Sequence, residues 1–379
     1  MSVPFVDMAR LHGPAREDLL AAFARVLDSG AFVQGREVES FEKEFAASYG
    51  SKHALAVSNG TCALHLALVA CGVEPGDEVI TVANTFIATA EAISMAGATP
   101  VFVDIEADGF NIDPAAVERA ITPRTKAVIA VHLYGRVADV ASLKAVTARH
   151  GLKLIEDACQ AHGATFAGRK AGTFGDAGCL SFYPTKNLGT VGEGGMVLTG
   201  DDEIAARVAS LRNHGQTLRH LHVEPGYNYR MPELQAAALR VLLPHLDRWN
   251  WSRVRAARLY DALLDGANVA IPAPGGEGEH VYHLYVVRTS DRDGLVRHLQ
   301  ARGIGAAVHY PTPIHLQPAY ASARHPAGSL PRTEAAVREI VSLPMHPHLN
   351  AAEILTVVEA IRAFVPATER QLVLTGGAQ

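Results

Sequence analysis

The chain has 379 residues, more than the roughly 100–200 of one typical domain, so at least two lobes are expected. Hydrophobic residues make up 48% and charged residues 19%, a balance that excludes a disordered protein. The net charge of −5, without a long basic run, excludes an extended nucleic-acid surface. No stretch approaches the roughly 20 apolar residues of a membrane helix, and the start does not resemble a signal peptide, so a cytoplasmic protein is expected.

The elements alternate regularly along the first half of the chain. Short apolar runs alternate with segments of helical period, which indicates βαβ units and a mostly parallel sheet with helices on both faces. We predict helices over 14–29, 37–49, 61–72, 85–97, 113–121 and 139–150, and strands over 53–58, 77–82, 99–105, 126–135 and 152–158. Active residues in such a sheet lie at the carboxyl ends of the strands.

The pattern changes after residue 158. We expect two further strands of the same sheet, an irregular loop over 214–230, and a long helix from Pro232 towards residue 265 that Pro244 bends. A Pro/Gly-rich linker then leads to a smaller α+β lobe. The later predicted strands are 178–183, 195–199, 281–289 and 306–310, and the later helices are 291–302, 332–340 and 351–364. This organisation divides the chain into a large domain over 1–240 and a connecting helix with a small domain over 241–379.

The cysteines exclude two kinds of site. The four cysteines contain no C-x-x-C pair, so the sequence predicts neither a zinc clip nor a thioredoxin-like motif. Four cysteines in a chain of this length also do not form a disulfide framework. No histidine spacing matches a known metal-ligand pattern, so no metal is expected. The cysteines are Cys62, Cys71, Cys159 and Cys179.

Four polar segments lie where predicted strands or the loop end: SNGT at 58–61, EDACQAHG at 156–163, SFYPTKNLG at 181–189 and GYNYRM at 226–231. The first joins a strand to a helix, whose free N–H groups and positive dipole end suit a phosphate. Lys186 lies among small polar residues after a strand, a setting that suits a Schiff-base lysine. Taken singly, each segment also has an ordinary structural reading as a turn, a cap or a surface lysine.

Together these segments resemble the sugar aminotransferases of the DegT/DnrJ/EryC1/StrS family, which are fold-type-I pyridoxal-phosphate (PLP) enzymes. The resemblance covers nearly the whole chain, from FVDMAR and SGAFVQGREVESFEKEFA to VHYPTPIHLQPAY, and it includes VHLYGRVADV and NYRMPELQAAAL. Lys186 is present, whereas related dehydratases have histidine at that place. The resemblance implies an α/β fold with a mostly parallel seven-stranded sheet in the large domain and PLP as the cofactor.

The resemblance also implies the roles of individual residues. Lys186 matches the lysine that binds PLP and moves the proton, and Asp157 matches the carboxylate that keeps the pyridine nitrogen protonated. The other matching cofactor contacts are Gly60, Thr61 and Ser181 for the phosphate, Phe86 for the ring face, Gln160 for the phenolic oxygen and Asn228 for the phosphate in the neighbouring subunit. The last of these implies a homodimer with shared active sites.

The loop VHYPTPIHLQPAY resembles that of family members acting at C3 of a nucleotide-linked keto-sugar. We therefore expect a dTDP-3-oxo-6-deoxyhexose as acceptor and L-glutamate as donor, with a 4-keto sugar or a UDP-linked 3-keto-N-acetyl sugar as alternatives. Tyr183, His309 and Tyr310 are the candidates for contact with the hexose. On charge grounds alone, four basic residues are candidates for the diphosphate or the glutamate carboxylate: Arg212, His214, Arg219 and Arg230.

Three other classes of protein remain as alternatives. A PLP-dependent lyase or desulfurase is one, although a desulfurase needs a mobile nucleophilic cysteine and none is convincingly placed. A catalytically silent PLP- or sugar-binding regulator would be expected to lack the lysine or to carry a DNA-binding domain. An NAD-dependent dehydrogenase would need G-x-G-x-x-G after its first strand, and the sequence lacks it.

Overall fold

A seven-stranded sheet forms the centre of the computed structural model, which describes residues 2–322 and 324–366. Strand order is β1-β9-β8-β5-β4-β2-β3; β9 runs antiparallel to both neighbours and the other pairs are parallel. This confirms the predicted mostly parallel sheet. The strands are β1 His53–Val57, β2 Glu78–Val82, β3 Thr99–Val103, β4 Thr125–Val131, β5 Lys153–Asp157, β6 Thr165–Phe166, β7 Arg169–Lys170, β8 Ala177–Ser181, β9 Gly195–Thr199, β10 Gln216–Leu218, β11 Leu221–His222, β12 Tyr285–Arg288 and β13 Ile340–Leu343.

Helices cover the sheet because each βαβ connection returns its chain across a face. The helices are α1 Met8–His12, α2 Arg16–Ser29, α3 Arg36–Tyr49, α4 Gly60–Ala70, α5 Ala88–Met95, α6 Pro114–Ala120, α7 Val140–His150, α8 Asp202–Leu211, α9 Glu233–Leu242, α10 Leu246–Leu264, α11 Arg292–Gln300, α12 Pro331–Glu339 and α13 Ala351–Arg362. Helix α4 is buried along almost its whole length against β8 and β9, which explains its nearly uniform apolar sequence. As predicted, Pro244 interrupts the long helix, in a 3-10 turn over Leu243–His245.

The second half of the chain departs from prediction at several elements. The predicted strand over 306–310 is wrong: Ala307 makes only an isolated bridge to Ser342. The strand that pairs with β12 along Tyr285–Arg288 is instead β13. Strand β13 begins directly after a helix, with no turn residues between them that would mark its start in the sequence. The loop over 214–230 contains the short hairpin β10–β11. Helices α1 and α8 were also not predicted.

A separate apolar cluster packs beneath β12 and β13. Helices α10, α11 and α13 contribute to it, and Tyr260 and Tyr285 stack at its centre with ring centroids 4.8 Å apart. The division of the chain at residue 240 stays a prediction, and residues 367–379 of its second part lie outside the described residues. Among the described residues, none of the helices has the length and apolar character that crossing a bilayer demands.

A buried carboxylate fixes the carboxyl end of β5. Glu156 accepts hydrogen bonds from the backbone N–H groups of Gly172, Phe174 and Gly175 at 2.6–2.8 Å and from His132 Nε2 at 2.9 Å. His132 Nδ1 accepts the N–H of Ala138, so the ring proton is on Nε2. Four donors satisfy this carboxylate, and the neighbouring Asp157 is thereby held on the opposite face of the strand, where it reaches the site.

Candidate active site

A cavity of about 610 Å³ opens at the carboxyl ends of the central strands. Ten of the eleven residues predicted for the site line it, and Asn228 is the exception. The ten are Gly60, Thr61, Phe86, Asp157, Gln160, Ser181, Tyr183, Lys186, His309 and Tyr310. Residues separated by up to 250 positions in the sequence (60 to 310) therefore meet at one place.

Asp157 is held at the base of the cavity by two donors. Thr89 Oγ1 donates to Asp157 Oδ2 at 2.8 Å, and the backbone N–H of Cys159 donates to Oδ1 at 3.2 Å. Because Thr89 has a single hydroxyl proton, its oxygen must accept from Thr85 Oγ1, which lies 3.0 Å away. Only 6% of Asp157 is exposed. The carboxylate is thus fixed in one orientation beneath the cavity.

Lys186 lies in the loop after β8, and its backbone N–H donates to the carbonyl of Tyr183 at 2.9 Å. None of the ion pairs formed within the described ranges involves its amine. Burial lowers the pKa of Lys186, and Cys159 and Asp157 only partly oppose that effect. A lysine whose amine loses its proton more readily can act as a nucleophile and a base.

The N-terminus of α4 packs tightly against the end of β8. Asn59 caps the helix by accepting the N–H of Cys62 at 2.8 Å. A Cβ on Gly60 would lie 2.8 Å from Ser181 Cβ and 3.0 Å from Cys159 Sγ, so only glycine fits without displacement. This close approach brings the free N–H groups of the first helical turn beside the hydroxyls of Thr61 and Ser181, an arrangement suited to a phosphate.

Gln160 connects two walls of the cavity. Its Oε1 accepts the backbone N–H of Tyr134 at 2.8 Å, so its Nε2 is the donor to Tyr310 Oη at 3.3 Å. The ring of Tyr310 lies 5.7 Å from that of Phe86, which is 52% exposed at the cavity. An aromatic face and an amide thus border the space above Asp157.

His309 is fixed by contacts on three sides. Its Nδ1 lies 2.9 Å from Ser342 Oγ, its ring stacks on Phe5 with centroids 5.5 Å apart, and its carbonyl accepts from Tyr134 Oη. Burial, followed by the charge of Lys186, lowers the pKa of His309 to about 4. The imidazole is therefore neutral at pH 7 and can both donate to and accept from a hydroxyl.

Asn228 lies away from the cavity of its own chain. It is exposed, and its Oδ1 accepts from Arg230 Nε at 2.9 Å. The segment around it nevertheless runs beside the first motif, since Ser58 donates its N–H to the carbonyl of Tyr229 at 3.0 Å.

The basic residues proposed on charge grounds also lie outside the cavity. Arg212 is paired with Glu42 and donates to the carbonyl of Ala56, so it is not available to a ligand. Arg219 and His214 lie in and beside the β10–β11 hairpin. From the His-rich loop, His315 is buried against Glu334 and Tyr320 reaches Ser94, and neither lines the cavity.

Sequence reasoning missed several residues of the site. Thr85, Thr89, Glu193 and His283 line the cavity with the predicted residues. The spacing of four between Thr85 and Thr89 at the start of a helix was an available signal, because such residues share one helical face. His283 had no signal, since it lies in a strand-like run far from every motif.

Cys159 lies within the site but is not set up as a nucleophile. Burial, together with the nearby charge of Asp157, raises the pKa of its thiol well above the ordinary value. The reactive thiolate is therefore disfavoured at neutral pH. This observation speaks against the desulfurase alternative.

Comparison with known proteins decides the family. The profile of the DegT/DnrJ/EryC1/StrS aminotransferase family matches residues 14–362. The chain belongs to this family. The resemblance inferred from the motifs is thus confirmed, and with it the aminotransferase class and the dependence on PLP.

Two relatives and one solved structure of the family illustrate the match. The dTDP-3-amino-3,4,6-trideoxy-alpha-D-glucose transaminase of Streptomyces venezuelae is 47% identical over 369 residues, covering 97% of each chain. The pleiotropic regulatory protein of Geobacillus stearothermophilus is 46% identical, covering 96% of this chain and 99% of that protein. The crystal structure of S. venezuelae DesV in complex with a ketimine intermediate superimposes with a TM-score of 0.93 at 48% identity, covering 95% of this chain and 98% of that one.

Proposed function

We propose that this protein transfers the amino group of L-glutamate to C3 of a dTDP-linked 3-oxo-6-deoxyhexose, with PLP held between Phe86 and Asp157. The observation that carries the proposal is the convergence of Lys186, Asp157, Gln160 and the start of α4 on one cavity. The identity of 47% to a transaminase named for a dTDP-3-amino sugar supports the nucleotide and the position.

The residues present fit PLP by three features. The start of α4 offers N–H donors against Ser181, at an approach that a side chain on Gly60 would prevent. A buried carboxylate, Asp157, lies at the base, and an amine with a lowered pKa, Lys186, lies beside it. PLP, when bound, supplies a carbonyl carbon for the amine and an electron sink for the carbanion.

Lys186 has two tasks in this proposal. Its Nζ would provide the covalent link to the cofactor and, when the amine is free, would take the proton from Cα of glutamate. In the second half-reaction the same Nζ delivers a proton to the sugar carbon that gains the amino group. The lowered pKa of Lys186 favours this exchange, because the amine is more often unprotonated near neutral pH.

Asp157 and Gln160 would hold the cofactor by two of its polar atoms. The carboxylate of Asp157, fixed by Thr89 and Cys159, would accept a hydrogen bond from the protonated pyridine nitrogen and keep it protonated. Gln160 is fixed by the N–H of Tyr134, so its amide group donates to Tyr310 and would be the donor to the phenolic oxygen of the cofactor. Rigid partners of this kind lower the cost of ordering the site during the reaction.

The hexose is proposed to bind between Tyr183, His309 and Tyr310. Tyr183 is 47% exposed at the cavity, and its ring offers an apolar face with a hydroxyl at the tip. Neutral His309 and the phenol of Tyr310 offer hydrogen bonds to sugar hydroxyls. Burial raises the pKa of Tyr310, so the phenol keeps its proton and can donate a hydrogen bond near neutral pH.

We also propose a homodimer with shared sites, in which Asn228 of one chain reaches the phosphate bound by the other. Three observations support this arrangement: Asn228 is exposed, it does not line the cavity of its own chain, and the adjacent Tyr229 is hydrogen-bonded to Ser58 at the end of β1. Arg219 and Arg230 flank Asn228 in the sequence and would approach the same neighbouring site. A cytoplasmic location stays a prediction.

The test is a panel of acceptors offered with glutamate. The purified enzyme is given dTDP-3-oxo-6-deoxyhexose, a dTDP-4-keto-6-deoxyhexose and a UDP-linked 3-keto-N-acetyl sugar, and 2-oxoglutarate release is measured with NMR assignment of the product. We expect turnover with the first acceptor at least about tenfold faster, in kcat/KM, than with the others. Amination of the 4-keto sugar alone would refute the C3 assignment.

The same assay tests the alternative that the protein is a catalytically silent regulator. This alternative is retained because one relative is named a pleiotropic regulatory protein. A silent regulator would bind PLP or sugar without releasing 2-oxoglutarate from any acceptor. The presence of Lys186 in the cavity favours turnover. Binding of every sugar without conversion would favour the regulator.

A further inference from the structure

A chain of hydrogen bonds connects Asn250 to Asn187, the residue that follows Lys186, and from there to His283. Asn250 Nδ2 donates to the carbonyl of His162 at 2.7 Å, and Asn250 Oδ1 accepts from Asn187 Nδ2 at 2.8 Å. Asn187 Nδ2 also donates to the carbonyl of Val281 at 3.1 Å. Backbone carbonyls only accept, so both amide orientations are fixed by the chain itself.

This direction determines the tautomer of His283. Asn187 has both of its amide donors engaged, so its Oδ1 faces His283 Nδ1 at 3.3 Å as an acceptor. The ring proton must therefore be on Nδ1, and Nε2 carries a lone pair. The charged and titratable groups that face this ring are Lys186, Arg253, His162 and His309. Burial, followed by the positive charges of Lys186 and Arg253, lowers the pKa of His283 well below its ordinary value, which favours the neutral ring.

Among the described residues, the hydrogen bond of the His283 ring is made at Nδ1 and none is made at Nε2, and the residue lines the cavity. Lys186 lines the same cavity, directly precedes Asn187 in the sequence, and also makes no ion pair among the described residues. A fixed acceptor and a free donor thus share one enclosed space. The two groups complement each other in hydrogen-bonding capacity.

We infer that His283 is a positioning residue whose Nε2 accepts a hydrogen bond from the amine of Lys186 whenever that amine is not bound to the cofactor. The bond would hold the released Nζ at the cavity wall, within reach of the reacting carbon, and would stop it from turning towards Asp157. Asn187 acts through His283, because its oxygen fixes which ring nitrogen is free. This inference rests on the proposed role of Lys186.

Two substitutions separate this role from a structural one. His283→Asn keeps a donor where Nδ1 lies and removes the acceptor, whereas His283→Gln places an amide oxygen near the position of Nε2. The titration of Lys186 is measured in the full-length protein freed of cofactor, by trace acetylation at a series of pH values with mass spectrometry of the Lys186 peptide. Rebinding of PLP to each variant shows that it is folded.

A hydrogen-bond acceptor stabilises the ammonium more than the amine. Losing it should therefore lower the apparent pKa of Lys186 in His283→Asn by about one unit, and His283→Gln should restore most of that shift. In the loaded enzyme, kcat should fall by about tenfold or more in His283→Asn with KM for glutamate nearly unchanged.

An unchanged titration of Lys186 in a His283→Asn protein that still binds PLP would overturn the inference. Failure of the proposed function has a different signature. Borohydride reduction of the loaded wild-type enzyme would then attach PLP to a residue other than Lys186, whatever the His283 variants show.

Discussion

The hydroxyl of Thr89 donates to Asp157 Oδ2 across 2.8 Å, and this contact joins the first turn of α5 to the end of β5. A donor to a carboxylate makes a stronger hydrogen bond than one between neutral groups. Because Thr85 supports the Thr89 hydroxyl in turn, two side chains with no direct part in the chemistry fix the carboxylate that PLP needs.

Thr89→Val should therefore weaken cofactor binding. The substitution keeps the shape of the side chain and removes the donor, which costs about 1.5 kcal/mol or roughly tenfold in the Kd for PLP. Fluorescence titration of the cofactor-free protein measures this constant. The control is Thr85→Val, which leaves the bond to Asp157 in place and should change the Kd less than threefold; equal losses in both variants would contradict the assignment.

Lys186→Ala should abolish the visible absorption of the bound cofactor in its covalent form. Without Nζ there is no amine to bind the carbonyl carbon and no base to move the proton, so kcat should fall by about 10³-fold or more. The absorption spectrum of the purified protein and the release of 2-oxoglutarate measure the two effects. A variant that keeps the band and the activity would refute the assignment of Lys186.

Gly60→Ala should destabilise the protein and weaken binding of the cofactor phosphate. The added methyl group would press on Ser181 Cβ at 2.8 Å and on Cys159 Sγ at 3.0 Å, an overpacking that costs about 1–3 kcal/mol. Thermal unfolding with and without PLP measures both effects. The matched control is Gly13→Ala, where a Cβ meets no atom within 4 Å, and its melting temperature should stay close to that of wild type.

The stability of the protein should fall as the pH drops below about 6.5. Burial lowers the pKa of His162 and His280 to about 3, and that of His309, His325 and His346 to about 4. Because the pKa of each of these histidines is lower in the folded protein than in the unfolded chain, the unfolded chain binds protons at a higher pH than the folded protein does. The stabilisation is complete above the unfolded pKa near 6.5 and is lost as the pH falls towards 4.

His346→Gln tests this pH dependence because His346 is only 2% exposed. Removing one titrating group should reduce the acid-induced loss in the free energy of unfolding by about 1 kcal/mol per pH unit. The measurement is the difference in Tm between pH 7.5 and pH 5, which should be smaller in His346→Gln than in wild type. The control is His220→Asn on the exposed hairpin, where asparagine tolerates the φ of 66°. A Tm difference equal to that of wild type in His346→Gln would show that this histidine does not contribute.

The sequence alone predicted the positions of β1 to β5 along the chain and the mostly parallel sheet, because buried parallel strands and amphipathic helices leave distinct periods in the chain. It also predicted Lys186, Asp157 and the start of α4 as site residues, because polar segments follow the predicted strands there and together resemble the motifs of a known family. The pairing of β12 with β13 could not be predicted. A strand that follows a helix without a turn has no local signal, and its pairing depends on a partner more than fifty residues away.

Only the tertiary structure decided which polar residues serve the site and which serve the scaffold. In the motif IEDACQ, Glu156 and Asp157 are adjacent carboxylates, yet the pleat of β5 turns Glu156 to four structural donors and Asp157 to the cavity. Arg212 has the charge to bind a phosphate but is paired with Glu42. His283 shows the converse. No motif marks it, and its role in the cavity depends on Asn187, whose hydrogen bonds to Asn250 and to the carbonyl of Val281 fix one ring nitrogen of His283 and leave the other free.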